Sequence, residues 1–416
     1  MRGPLGSILL IGDELLAGEI QDGNGPYLAD RLTGLGFQVQ EIRLLPDDVE
    51  AIAAAVREAL KACRLVMVCG GLGPTSDDRT TEAVGKALGR RLVVDEAQWD
   101  RIRKIFSMLR GEEPPPGNEK QAMLPEGAEV LLNEMGTAIG YVAQQAKGAV
   151  AVLPGPPKEN QRMFERQFLP WLDRNMPERS TWATRVFRVF GLPESEVGHR
   201  LRGLEAEYGE LRVSYRFHFP EILVKFRCGA GYEDRLEAAS CELARLLEPH
   251  LYSTGEERLP AVLGRELERR GLRIVTAESC TGGLVAKLLT DVPGSSSWME
   301  QGFVVYSNAA KEQVLGVPEE TLERYGAVSE PVALSMLEGA LERSAAQVGL
   351  AITGIAGPGG GTVGRPVGTV WIAWGDGREQ HAETHQFHWD REYNRLLSAW
   401  AGMHRVYQHL LGRQSG

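Results

Sequence analysis

The chain has 416 residues, 43% hydrophobic and 25% charged, with Lys+Arg 46 against Asp+Glu 56 and a net charge of -10. That length allows two or three domains with cores of their own, and the composition excludes a disordered or fibrous chain. The acidic balance and the lack of a Lys/Arg block argue against direct nucleic-acid binding.

In chain order, Met1-Arg2 precedes the apolar run Ile8–Ile11, which Asp13 and Glu14 cut short. No cleavage site follows, so the run reads as a first buried strand rather than a signal peptide. From residue 7 to about 170 short apolar runs alternate with amphipathic stretches. Strands are expected at 7–11, 37–44, 65–69 and 149–153, and helices at 25–34, 49–62 and 78–88. Such alternation predicts a mostly parallel sheet with helices on both faces. The segment 111–117 carries Pro114, Pro115 and Pro116 and reads as a loop. Residues 177–250 suit a small α+β module, with strands at 184–190, 212–217 and 221–228 and helices at 194–203 and 234–247. The polar stretch 253–257 reads as a linker.

A second α/β pattern fills 258–416. Its helices are expected at 260–270, 282–290, 331–344 and 392–411, and its strands at 272–277, 302–306, 348–353 and 368–374. No run of 18 apolar residues occurs, which leaves no transmembrane span. Five cysteines without CxxC spacing (Cys63, Cys69, Cys228, Cys241, Cys280) argue for a reducing compartment and against disulfides or structural zinc. The expectation is a cytoplasmic protein.

In open α/β sheets ligands bind beyond the carboxyl ends of the strands. Three C-terminal stretches fall there. Ala277-Glu278-Ser279-Cys280-Thr281-Gly282-Gly283 is a Gly-rich strand-to-helix turn whose N–H groups could hold an oxyanion. Ser279 is either a nucleophile or, with Thr281, a helix cap; Cys280 is the rival nucleophile. Tyr306-Ser307-Asn308 leads to Lys311, in a chain with 9 Lys to 37 Arg. A desolvated lysine is an alternative to histidine as the base for a serine, whereas the plainer reading is an exposed first-turn lysine with Asn308 as cap. The loop 353–361, with Gly357, Gly359 and Gly360, could wrap a phosphate, although it lacks a Walker signature. Arg391 and Arg395 share one helix face and could clamp a phosphate or carboxylate.

The N-terminal part offers Gly12-Asp13-Glu14, the run Gly70-Gly71-Leu72-Gly73-Pro74-Thr75-Ser76-Asp77-Asp78, and Pro154-Gly155-Pro156-Pro157. Carboxylates beside a glycine loop suit a magnesium-like ion bridging a diphosphate, while capping by Asp77 or Asp78 is the bland alternative. No histidine pair has the HExxH spacing, and His381, His385 and His388 read as ordinary strand and turn residues.

Taken together, these motifs resemble the CinA (competence/damage-inducible) family over nearly the whole chain. Residues 1–172 look like its MoaB/MogA-like molybdopterin-binding-type domain, through Gly12-Asp13-Glu14-Leu15-Leu16, the 70–78 run, Lys120-Gln121-Ala122 and the 154–157 run. Residues 177–250 look like a KH-type domain without a basic GxxG clamp. Residues 258–416 look like a nicotinamide-nucleotide amidase domain, through the 277–283 turn, Tyr306-Ser307-Asn308 with Lys311, Gly326-Ala327-Val328-Ser329, the 353–361 loop and Pro366-Val367-Gly368-Thr369-Val370. Trp389 departs from the family's usual glycine there.

The resemblance implies deamidation of nicotinamide mononucleotide to nicotinate mononucleotide and ammonia, with no cofactor. Ser279, Lys311 and Tyr306 would be catalytic; Thr281, Gly282, Gly283, Asn308, Gly357, Gly359, Gly360, Arg391 and Arg395 would bind substrate. It also implies a metal-dependent ADP-ribose pyrophosphatase in the first domain. There Gly71, Gly73, Thr75 and Gly155 would bind the nucleotide, and Asp13, Asp77 and Asp78 a divalent ion such as magnesium. A homodimer, with no nucleic-acid or membrane partner, completes the expectation. Alternatives are a non-hydrolytic pterin- or nucleotide-binding first domain and a competence-linked interaction protein.

Overall fold

The computed structural model describes residues 3–177 and 182–412, without the side chains of Leu109 and Arg110. Contacts divide the chain into two units, Met1–Ala183 with Gly229–Gly231, and Thr184–Cys228 with Tyr232–Gly416.

The first unit is built on a six-stranded sheet in the order Gln38–Leu45, Leu5–Ile11, Leu65–Cys69, Gly148–Leu153, Gly140–Gln145, Glu129–Leu131. The first four strands are parallel, and each of the last two pairs antiparallel with the strand before it. Side chains alternate between faces, as a period of two requires. Leu9, Ile11, Val66 and Val68 pack with the helix Val49–Ala62 on one side. Ile8, Leu10, Leu65 and Met67 pack with Leu28 and Leu32 of Asn24–Gly34 and with Phe164, Phe168 and Trp171 on the other. Both faces are covered, so the central strands can be continuous apolar runs. The parallel neighbours end side by side, which brings Gly12, Gly70 and Pro154 to one edge.

The second unit holds two sheets. The four-stranded one runs Arg212–His218, Glu221–Gly229, Trp182–Val189, Leu251–Ser253, with helices Glu194–Arg200, Leu204–Tyr208 and Glu233–Leu247. The helix expected over 194–203 is interrupted where Gly203 takes φ 100°. The expected linker at 253–257 is tied down: Ser253 ends a strand and the Gly255 carbonyl accepts from Arg188 Nε at 3.1 Å. Phe190 and Tyr252 belong to the same apolar core as Leu263, Trp298 and Trp400.

The five-stranded sheet runs Met299–Val304, Ile274–Glu278, Val348–Gly354, Thr369–Asp376, Gln380–Gln386. Its first three strands are parallel and the last two pair antiparallel. The long helix Arg391–Leu410 covers one face, placing Trp400, Met403 and Val406 against Leu350 and Ile372. The helix Glu330–Glu342 covers the other. Among the described residues no helix is long and apolar enough to cross a membrane.

Candidate active site

The strand Ile274–Glu278 ends at the 277–283 turn, and its parallel neighbour Met299–Val304 leads into the helix Asn308–Leu315. Those two carboxyl ends bring Ser279 and Lys311 together. Lys311 is 1% exposed, and its Nζ lies 3.0 Å from Ser279 Oγ, 3.0 Å from the Val305 carbonyl and 3.3 Å from the Tyr306 carbonyl. Burial lowers the Lys311 pKa from its ordinary value. A neutral amine has two N–H bonds and one lone pair. In the structure Lys311 Nζ donates to Ser279 Oγ as well as to the two carbonyls; on losing a proton it would keep its two N–H bonds on the carbonyls and turn its lone pair to the Ser279 hydroxyl.

The capping alternatives fail. Helix Leu284–Thr290 has no cap from Ser279 or Thr281; the buried Glu278 carboxylate accepts from Val285 N at 3.1 Å and Ala286 N at 2.9 Å. Gly282 and Gly283 both have positive φ, 60° and 90°, so the helix starts at Leu284 rather than 282. Ser307, not Asn308, caps the next helix, its Oγ accepting from Ala310 N at 3.1 Å. Lys311 is buried rather than exposed because it faces the sheet edge from the helix's first turn. Cys280 is buried, and desolvation pushes its thiol up to about 12, which leaves it a poor nucleophile beside Ser279.

Other expected residues fall around this pair with changed roles. Tyr306 contributes its carbonyl to Lys311, but its ring is 62% exposed and its hydroxyl accepts from Arg391 Nη2 at 3.2 Å. The phenol therefore has no bond to Ser279 or Lys311 and is not their proton partner. Arg391 Nη1 donates to the Gly357 carbonyl at 2.6 Å, and Arg395 Nη2 to the Thr281 carbonyl at 2.6 Å. Gly357 has φ 93°, and a Cβ there would meet Val367 at 2.6 Å. Gly359 and Gly360 lie on the exposed part of the same loop, and Asn308 is exposed at the helix start. The Gly282 N–H is consumed by the Ser279 carbonyl at 3.1 Å, so it is not an oxyanion donor in this state.

The edge of the first unit forms a cleft of about 580 Å³, lined by Glu14, Asp22, Asp47, Gly71, Gly73, Asp77, Asp78 and Gly155 among others. Asp47 was not expected. It follows the strand Gln38–Leu45, a fourth parallel carboxyl end, one residue beyond the boundary that the apolar pattern suggests. Asp48 caps the helix through Ala51 N, while Asp47 Oδ2 accepts from Asp13 N at 2.9 Å. Burial, with the charges of Asp13, Glu14 and Asp77, holds the Asp47 carboxyl above its usual range.

As they stand, the ligand oxygens of Asp13, Asp77 and Asp78 are not gathered to one point among the described residues. Asp13 instead pairs with the Asp47 backbone at 3.4 Å. Asp78 Oδ2 accepts from Thr75 N at 2.9 Å and from the Thr75 hydroxyl, closing a turn inside the loop and capping no helix. Thr75 is thus spent on Asp78, and its carbonyl accepts from Lys120 Nζ at 2.7 Å. The set of three that does gather is Glu379, His381 and His409, on the far hairpin and the end of the last helix. Spacing could not reveal it, because His409 is distant in sequence.

Two family models match the chain, a "Probable molybdopterin binding domain" over residues 7–174 and a "CinA C-terminal domain" over residues 256–410. A CinA-like protein of Syntrophus aciditrophicus is 41% identical over 409 residues, covering 97% of this chain and 97% of its own. Another, from Geobacter sulfurreducens, is 41% identical over 408 residues, covering 97% and 98%. A crystal structure of a CinA superfamily protein from Klebsiella pneumoniae is 36% identical, with a TM-score of 0.36, and covers 37% of this chain and 96% of its own. With full-length relatives at this identity, an α/β domain of the molybdopterin-binding type at its start and a CinA domain at its end, the chain belongs to the CinA family.

Proposed function

We propose that the chain is a nucleotide hydrolase with two separate sites, the C-terminal one deamidating nicotinamide mononucleotide. The observation that carries this reading is the buried Ser279–Lys311 contact at 3.0 Å, with both remaining amine N–H bonds held by carbonyls. Ser279 Oγ attacks the carboxamide carbon as its proton passes to Lys311 Nζ. The tetrahedral intermediate collapses, the C–N bond breaks, and Lys311 returns the proton to the leaving nitrogen as ammonia departs. Lys311 then takes a proton from water as that water attacks the acyl-serine; the acyl–Oγ bond breaks, Lys311 returns the proton to Ser279 Oγ, and the nicotinate nucleotide leaves with both residues restored. Arg391 and Arg395, with the Gly357 loop, supply positive charge and donors for a 5′-phosphate. With the Gly282 N–H committed, Gly283 is the remaining glycine donor of the turn for the oxyanion.

For the N-terminal cleft the reading is hydrolysis of ADP-ribose to AMP and ribose 5-phosphate with a divalent ion. Magnesium usually binds through one or two carboxylates plus substrate phosphates. The crowded cleft carboxylates fit that demand, with Asp47 and Asp77 as the protein ligands in place of the expected triad. The ion would neutralise the diphosphate and polarise it; the cleft residues position it. The second reading is a cleft that binds pterin or nucleotide without cleaving it, which the match of this domain to a probable molybdopterin binding domain favours.

Mass analysis of nicotinamide mononucleotide and ADP-ribose after incubation with full-length protein tests both readings. Catalysis changes substrate mass, and binding leaves it unchanged. The proposed surroundings are cytoplasmic and the partners small nucleotides.

A further inference from the structure

Phe219 occupies the turn between the strands Arg212–His218 and Glu221–Gly229 of the small sheet. Its ring reaches the start of the last helix of the α/β domain. It meets Tyr393 edge-on, with centroids 4.4 Å apart and an interplanar angle of 74°, and Trp389 at 5.8 Å and 63°. Trp389 and Tyr393 pack on each other at 6.0 Å, and Phe217 backs Phe219 at 6.1 Å.

These rings flank Arg391. Trp389 is held at both backbone groups by the buried Asn394, its N–H donating to Oδ1 at 3.1 Å and its carbonyl accepting from Nδ2 at 2.8 Å. The same Nδ2 donates to the Ala356 carbonyl at 3.1 Å, next to the Gly357 loop. Asp390 caps the helix through Tyr393 N at 2.9 Å. The segment 389–394 is therefore one small unit, and Arg391 projects from its middle onto Gly357 and Tyr306. Arginine has a long stem with much rotamer freedom, so its aim depends on where that unit sits.

The turn that carries Phe219 is itself anchored. Two residues on, Glu221 is fully buried and accepts from Arg188 Nη1 at 2.9 Å, from Arg258 Nε at 3.2 Å and from the Tyr252 hydroxyl. Arg258 begins the first helix of the α/β domain and lies over the Trp400 ring at 5.2 Å. A rigid turn thus presses an aromatic edge against the helix start that bears Arg391.

We propose that Phe219 is a positioning residue for the Ser279–Lys311 site, so that the small module completes the substrate-binding edge of the neighbouring domain. It acts through Trp389 and Tyr393 on the aim of Arg391 at an anionic group of the substrate. The substrate named in the test rests on the function proposed above; the contact itself does not.

The test is steady-state kinetics of the full-length chain on nicotinamide mononucleotide. Phe219→Ala should raise KM about tenfold with kcat within roughly twofold, since an edge-to-face aromatic contact contributes on that order. Phe219→Tyr, which keeps the ring, should restore KM. Phe217→Ala, which removes the ring contact behind Phe219, should leave KM near wild type. A folded Phe219→Ala protein with unchanged KM overturns the proposal, as does a loss confined to kcat. If the wild-type chain turns over no nicotinamide mononucleotide, the functional reading fails, and the positioning is read directly from the Arg391 Nε–Hε signal in a [15N]arginine spectrum, identified by its loss in Arg391→Lys. That signal must shift or broaden in Phe219→Ala and recover in Phe219→Tyr; an unmoved signal overturns the proposal.

Discussion

The two sites resolve their electrostatics in opposite ways. At Ser279–Lys311 the Lys311 amine is buried, and the protein meets the cost by favouring its neutral form and satisfying its hydrogen-bonding positions. In the N-terminal cleft several carboxylates crowd one another, and Asp47 is pushed up with no cationic partner in direct contact among the described residues. The first arrangement is complete in itself. The second stores like-charge repulsion that a cation relieves, so its chemistry should depend on what is added to the solution.

The largest effect that sharpens this contrast is Lys311→Met. It keeps the bulk of the stem and removes the amine, so deamidation should fall by several orders of magnitude, measured as ammonia release. The Ser279→Ala/Lys311→Met double variant should be little worse, because groups acting as one unit are not additive. In the wild type the base must be neutral, so kcat/KM should rise with pH to a plateau whose midpoint lies below the ordinary lysine value. A midpoint at that ordinary value would break the account of Lys311.

Next comes the cation. A chelator should abolish ADP-ribose cleavage, with recovery on adding magnesium, and leave deamidation unchanged. Asp47→Asn should weaken the magnesium dependence of that cleavage by about 10–100-fold, an effect in the range seen when groups around a metal are lost. Deamidation that stops with chelator and returns with metal would erase the difference between the sites.

Two stability effects are smaller. Glu278→Ala removes the acceptor for Val285 N and Ala286 N, and should cost about 1–3 kcal/mol by denaturant unfolding. His404 is buried against Phe190, and burial pushes its pKa down to about 3. Its unfolded form protonates near 6.5, so the unfolded chain binds more protons between those values. The stability this group contributes is present above about pH 6.5 and is lost as pH falls, by about 1.4 kcal/mol per unit. His404→Phe should flatten that slope in melting experiments between pH 6.5 and 5; an unchanged slope would show that His404 does not set it.

Much of the scaffold is legible in the sequence because its signals are local. The helix Val49–Ala62 and the strand Leu65–Cys69 lie where the 3.6-residue stripe and the continuous apolar run place them. Ser279 and Lys311 were legible as candidates because each follows a strand end, buried for Ile274–Glu278 and at the sheet edge for Met299–Val304. The strand Gln380–Gln386 was not, since it is a polar edge strand paired on one side and lacks an apolar alternation. Tyr306 kept its place and changed its role: Met299–Val304 ends two residues early, which turns the ring outward and leaves only the carbonyl at Lys311. Asp47 was hidden by a one-residue error in a strand end. The meeting of Phe219 with Trp389 and Tyr393 spans about 170 residues of sequence and exists only once both sheets are built.

The most direct test of the central claim is the rate of ammonia release from nicotinamide mononucleotide by full-length Ser279→Ala beside Cys280→Ala, both checked for folding. Ser279 is a nucleophile in this account and bears no helix cap, so its removal should lower turnover by several orders of magnitude while the melting temperature stays near wild type. Cys280→Ala should retain turnover. A folded Ser279→Ala protein that still releases ammonia, or a Cys280→Ala protein that does not, would contradict the assignment.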